Sequence, residues 1–366
     1  MTSVDPVGAS HVLAFAHQLD KRIGARTRQK LRELIPTLTQ GEFAARLEMT
    51  PLALSRALEG TRPFTSGELT LAAGILGTSV HWLSTGDPDP FAVKVAGRQT
   101  FDHSLKSHTP VDWSGLDETI THLARAYAEV YPVPVGQSGL PPVPPSAAEA
   151  RAELIRCAPV EFVSQFSQAT ELAFDVDVVR IGESRDGIAI EVGGHFAIIV
   201  GETGNWFFQN WTIAHELGHI AHGDLSERGA AACDNPAAER AANAFAAELL
   251  MPEAILRAIP WQRATEHQIA DFVWTSGVST NALLTRLTSL GIDLSGRLRV
   301  TLESSTQALL RRSGIVSGGD TDRVTQRMDA AAARRFPQHL ISAHAEAVAS
   351  GRLDRAMLSW MLGTPD

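Results

Sequence analysis

The chain has 366 residues, enough for two or three domains, and carries 41 acidic against 32 basic residues for a formal net charge of −9. That balance excludes a globally basic nucleic-acid binder, so any nucleic-acid surface must be local. Two distant cysteines, Cys157 and Cys233, argue against a disulfide framework. No apolar run approaches the ~18 residues of a membrane span, and the first residues lack a signal-peptide pattern, so a cytoplasmic protein without a membrane partner is expected.

Residues 9–35 read as a helix, with Val12, Leu13, Phe15, Leu19, Ile23, Leu31 and Leu34 at apolar positions. Lys21, Arg22, Arg26, Arg28, Lys30 and Arg32 make it basic. Leu38 to Pro63 then suggests two short helices with a tight break at Met49-Thr50. Thr50 is placed to cap the second helix, Pro51 fits its first turn, and Gly60 ends it. Further helical turns follow over 67–76 and 80–83.

The string TQxxFA (39–44), a second helix opening at Thr50-Pro51, an exit E-G-x-R-P (59–63) and a trailing LGTSVHWLSTGD (76–87) resemble the XRE-type, lambda-repressor-like helix-turn-helix. The resemblance covers 35–87 and implies an all-α DNA-binding domain over 1–90. In that fold the second helix enters the major groove by its first residues. The positions this implies are Thr50, Leu52, Ala53, Ser55 and Arg56 toward bases, with Gln40 and Arg62 near phosphates. Between residues 21 and 62 there are nine Lys/Arg against four Asp/Glu, a local excess of +5. Pro51, Leu52 and Ala53 are poor hydrogen-bond donors, so a helical module for protein contacts or dimerisation stands beside the DNA reading.

Residues 91–145 read as a linker with one helix, Leu116–Tyr131, and a Pro-rich, semi-rigid segment over 132–145. His103 and His108 read as ordinary loop residues. From Ser146 two helices lead to short strands at 176–181, 188–192 and 196–200. The last two are joined by Gly193-Gly194, a hairpin signal. A small antiparallel sheet is expected there, with an edge on which an extended peptide can be held by β-addition.

The helix that follows contains His215-Glu216-Leu217-Gly218-His219. Residues four apart on a helix lie ~40° apart around the axis and ~6 Å along it, so the two histidines can share one ion. A Glu after the first histidine can deprotonate a water that the metal has acidified. The residues around the motif are apolar, so the helix is expected to be buried, where unpaired polar groups would be costly.

A catalytic zinc needs a third protein ligand and an open position. His222 and Leu225 stand where a metzincin has Gly and His, which excludes that class. His222 itself lies a turn beyond His219, past the metal. The better third ligand is Glu239, one turn into a helix that Asn235 caps, Pro236 opens and Pro252 stops, with Asn243 on the same face. Glu248 reads as a solvated or salt-bridging residue.

HELGH (215–219) followed by ExxANxFAAELLMP (239–252) resembles the ImmA/IrrE family of zinc metallopeptidases. The resemblance covers 146–290. It implies one Zn2+ per chain on His215, His219 and Glu239, with Glu216 as catalytic base. It also implies a protein substrate, a helix-turn-helix repressor, cut in a stress or mobile-element response. The expected fold is mainly α with a small antiparallel sheet, as in a zincin-like peptidase domain over 146–300. An Ala/Arg-rich helical region follows over 301–366, and a homodimer is a further expectation. The alternative is an XRE-type transcription regulator whose peptidase fold senses or dimerises without cutting. Cys233, between the ligands, is a candidate thiolate latch. The donor for the oxyanion is not identified by the sequence.

Overall fold

Four side-chain caps punctuate the first helices of the computed structural model, which describes residues 6–34, 37–87, 89, 91–96, 99–102, 107–110, 116–131, 141–158, 162–182, 187–227, 235–314 and 322–364. Helix α1 spans Pro6–Glu33. Thr39 and Thr65 form capping boxes at α2 (Gln40–Arg46) and α4 (Ser66–Ile75). Thr50 caps α3 (Pro51–Leu58), with Pro51 in its first turn, and Ser79 caps α5 (Val80–Thr85). Phe43, Leu54, Ala57 and Leu83 are fully buried between these helices. Arg26 belongs to the basic run of α1, yet its guanidinium donates to the carbonyls of Leu83, Ser84 and Thr85 and so closes the end of α5.

The chain divides at Ala92 and Val93 into two units. The second begins with strand β1 (Lys94–Val95) and a two-stranded sheet of β2 (Gln99–Asp102) and β3 (Ser107–Pro110). Helices α6 (Asp117–Val130), α7 (Ala147–Cys157) and α8 (Phe166–Phe174) precede β4 (Val176–Arg180), β5 (Ile188–Val192) and β6 (His195–Val200). Then come α9 (Trp206–His222), β7 (Ser226–Glu227) and α10 (Pro236–Leu250). Eight helices complete the unit: α11 (Glu253–Ala258), α12 (Glu266–Ser276), α13 (Thr280–Ser289), α14 (Gly296–Glu303), α15 (Thr306–Ser313), α16 (Arg323–Ala332), α17 (Gln338–Ala349) and α18 (Ala356–Leu362). The fold is mainly α with a small sheet. Among the described residues no helix is long and apolar enough to cross a membrane.

The main sheet has the order β4-β6-β5-β1-β7. Gly193 and Gly194 both have positive φ, 59° and 85°, the backbone of a type I′ turn, and this fixes β5 and β6 as an antiparallel hairpin. β4 pairs with the far side of β6 and runs parallel to it, so the sheet is mixed rather than wholly antiparallel. Its central strands are buried along their length, which explains their near-continuous apolar sequences.

Two stretches that read in the sequence as connection and tail build this unit. β1 enters the sheet between β5 and β7. Tyr127 of α6 is buried, and its hydroxyl donates to Asp177 of β4. His339 of α17 contacts the other oxygen of Asp177 at 2.8 Å. Arg335 exchanges backbone hydrogen bonds with Arg180 at the β4 edge and forks its guanidinium onto Glu171.

Candidate metal centre

Fourteen of the seventeen residues of α9 are buried, so each polar group on it needs a partner. Gln209 donates to the carbonyls of Gly201 and Ala331, and Asn210 to that of Gly277. These bonds pin the first half of the helix. His215, Glu216 and His219 on the second half are 1%, 0% and 1% exposed.

Helix α10 brings the fourth group. Its start is fixed by Asn235, whose side chain accepts from the amides of Ala237 and Ala238. Its approach to α9 depends on Gly218, the small residue inside the HELGH motif. A β-carbon there would lie 2.9 Å from Cα of Ala242 and 3.2 Å from its carbonyl oxygen. Only glycine lets the two helices come this close, and Glu239 lies one turn before Ala242.

The result is a cluster of converging ligand atoms. The Nε2 atoms of His215 and His219 are 3.1 Å apart; that of His215 lies 3.4 Å from Oε2 of Glu239 and that of His219 lies 3.4 Å from Oε1. All three side chains are buried, and this is the group of His, Cys, Asp and Glu residues among those described whose ligand atoms converge to hold a metal ion. Two imidazoles would not be buried with facing nitrogens at this distance unless a proton or a cation lay between them.

Outer groups set the two rings. Nδ1 of His215 faces Oδ1 of Asn243 at 3.2 Å, and Nδ1 of His219 faces Oδ2 of Asp224 at 3.1 Å. Each acceptor holds a ring proton on Nδ1 and turns Nε2 toward the shared point, where a bound cation would take the place of any proton on Nε2. The sequence pointed to Asn243 only through its face on the helix, and Asp224 was missed. Its signal is the helix stop: α9 ends at Gly223, the chain turns back, and the Asp224 amide bonds the His219 carbonyl at 3.0 Å. That turn sets the Asp224 carboxylate beside the His219 ring.

The surrounding carboxylates give the pocket a cation-binding character. Burial opposes charge on Glu239, but hydrogen bonds from His215 and His219 outweigh it and hold the carboxyl at about 2. Burial likewise opposes charge on His219, and its bonds to Asp224 and Glu239 overcome this and raise it to about 9. Oε2 of Glu216 accepts the amide of Ala189 in β5 at 2.8 Å. Its other oxygen, Oε1, is buried and has no protein partner. The sheet therefore aims one oxygen and leaves the other for a ligand.

The remaining expected residues fall elsewhere. His222 is exposed and packs edgewise on Phe245. Glu248 pairs with Arg286. Tyr127 and Tyr131, the only tyrosines, are engaged with Asp177 and His339. Cys233 and His103 lie outside the described residues, as does the side chain of His108. In the first unit Gln40, Thr50, Leu52 and Arg56 are exposed, and Ala53 and Ser55 partly so. Thr50 Oγ1 accepts the Ala53 amide, and Ser55 donates to Glu59. Arg62 is forked onto Glu68 at 2.9 and 2.7 Å and so is already neutralised.

A buried His-His-Glu cluster on two crossing helices, with a carboxylate beside it, is the arrangement of a metal-dependent hydrolase. Residues 205–288 match the family model described as the IrrE N-terminal-like domain of the M78 peptidases. The match runs from the Asn205 cap of α9 into α13 and takes in all four residues, which supports a peptidase domain of the ImmA/IrrE kind in this part of the chain. No curated protein and no solved structure matches the chain.

Proposed function

We propose that the chain is a cytoplasmic zinc metalloendopeptidase that cuts a regulatory protein, a helix-turn-helix repressor, in a stress or mobile-element response. Its first unit binds DNA and controls when the site works. The observation that carries the peptidase reading is the cluster of His215, His219 and Glu239 with Glu216 beside it. One ligand atom from each of the three residues lies within 4.8 Å of the others, and the two Nε2 atoms are 3.1 Å apart. Three protein ligands would hold the ion and leave room for a water, as catalysis needs.

A bound zinc ion supplies an acidified water and polarises the peptide carbonyl. The chain does the rest. His215 and His219, oriented by Asn243 and Asp224, hold the ion with Glu239. Glu216 Oε1 takes a proton from the attacking water and passes it to the leaving amine. The Ala189 amide donates to Oε2 and fixes the carboxylate's direction. Burial excludes bulk water and strengthens each of these interactions.

The test compares wild type with Glu216→Gln, each supplied with zinc and a repressor encoded beside it. Wild type should cut and Glu216→Gln should retain zinc without cutting. His219→Ala should lose about one zinc per chain. If wild type holds zinc and binds operator DNA as well as Glu216→Gln does, yet cuts nothing under inducing conditions, the regulator without proteolysis is the correct reading.

A further inference from the structure

β5 is the strand that touches Glu216, and β1 covers its edge. The register sets Lys94 opposite Glu191 and Val95 opposite Ile190. The Ala96 amide donates to the Ala189 carbonyl at 3.0 Å. An antiparallel pair would return a bond from the Ala189 amide to Ala96. Here that amide goes to Glu216 instead. The ladder between β1 and β5 thus runs up to the carboxylate and ends on it.

The other side of β1 is paired with β7, which follows α9 by a short turn. β1 therefore lies in a slot one strand wide, bordered by β5 and β7 and ending at Glu216. Its occupant is short and is held by identifiable groups. Lys94 Nζ makes contacts of 3.0 and 3.1 Å with the two oxygens of Glu191, a half-buried ion pair. Val95 and Ala96 are 1% and 0% exposed. In sequence, β1 starts two residues after the first unit ends.

We propose that this slot is the peptide-binding strand position of the site, that Glu191 selects a basic residue in it, and that β1 occupies it in the resting chain. The proposal rests on the peptidase reading and adds the substrate class. A substrate enters as an extended strand antiparallel to β5, bonded on both edges. It carries Lys or Arg opposite Glu191, a β-branched residue opposite Ile190 and a small residue opposite Ala189. The bond after the small residue then meets Glu216. β1 has the sequence Lys94-Val95-Ala96 and satisfies each requirement, so it competes with substrate from within the chain. As a tethered segment it competes at a high effective concentration.

The experiment uses the full-length, zinc-loaded chain and a fluorescein-labelled peptide of residues 91–96, Phe-Ala-Val-Lys-Val-Ala, with binding followed by anisotropy. Lys94→Glu sets a carboxylate against Glu191, weakens β1, and should bind the peptide about tenfold tighter than wild type. A peptide with Glu in place of Lys should lose that gain. The second variant carries Val95→Cys and Ile190→Cys, a directly opposed pair without mutual backbone bonds, whose side chains approach closely. Its oxidised form should exclude the peptide, and reduction should restore binding. Equal affinity across these states, including no binding in any of them, overturns the proposal. Cleavage of a repressor is scored separately. Peptide exchange without cleavage would sink the peptidase reading and leave the slot standing. Cleavage with no peptide exchange would do the reverse.

Discussion

Gly218→Ala tests whether the crossing of α9 and α10 builds the metal centre. The added β-carbon would sit 2.9 Å from Cα of Ala242, 3.2 Å from its carbonyl oxygen and 3.2 Å from Cβ of Phe245. Comfortable contact starts near 3.5 Å. Two of the three obstacles are backbone, which has no rotamer to give way, so the helices must part by about 0.5 Å. Overpacking of this kind costs about 1–3 kcal/mol, and the better helix propensity of alanine returns about 1 kcal/mol. The net loss of stability should be small, about 1 kcal/mol. The effect on the metal should be larger. Glu239 moves with Ala242, and metal–ligand distances tolerate only about ±0.2 Å. Zinc affinity, measured by competition with a chromophoric chelator, should fall at least tenfold, while far-ultraviolet circular dichroism stays that of wild type. If affinity stays within about twofold of wild type in a folded protein, the close crossing does not set the Glu239 position.

Other outcomes follow from the same geometry. Asp224→Asn removes the carboxylate behind His219 and should weaken zinc binding by about 10–100-fold, read by the same chelator titration, with little change in melting temperature. Asp177 is raised from 3.8 to about 6, because burial outweighs the help of Tyr127 and His339. Its contribution to stability is therefore complete below about pH 4 and is lost as pH rises through 6, a swing of about 3 kcal/mol. Asp177→Asn should flatten that part of the profile in urea unfolding at pH 4 to 7, and an unchanged slope would show that this carboxyl does not titrate as described. The Arg62 fork, helped by the Thr65 amide, outweighs burial and holds Glu68 at about 2, so the pair supports the first unit from above pH 4.5 and is lost only in strong acid. Glu68→Gln should release Arg62 and steepen the salt dependence of duplex DNA binding by about one charge. A slope equal to wild type would place Arg62 away from phosphates.

The convergence of the candidate ligands was legible because its geometry is local. His215 and His219 are one helical turn apart, and Glu239 and Asn243 are one turn apart on a helix with an unmistakable cap and stop. Gly193-Gly194 announced its hairpin for the same reason. The capped helices of the first unit were equally plain, since Thr50-Pro51 carries its own geometry. What the sequence did not disclose depends on distant partners. Asp224 reaches His219 only because Gly223 turns the chain. The parallel pairing of β4 with β6 depends on where a strand sits across the sheet, which no short pattern records. Helix α14 went unrecognised because its buried positions, Leu298 and Leu302, are too few to show a period. Arg26 and Arg62 read as free cations, yet each is engaged within the first unit.

β1 is the instructive case. Lys94-Val95 is too short to register as a strand, and its neighbours read as connection. Its position follows from backbone pairing with β5 and β7, which are distant from it in sequence. Two residues in a stretch read as linker thus line β5, the strand that touches Glu216. On the proposed function, His215, His219 and Glu239 determine what chemistry the site performs. The occupied strand position beside Glu216 determines which peptides can displace β1, and Glu191 gives that competition its preference for a basic side chain.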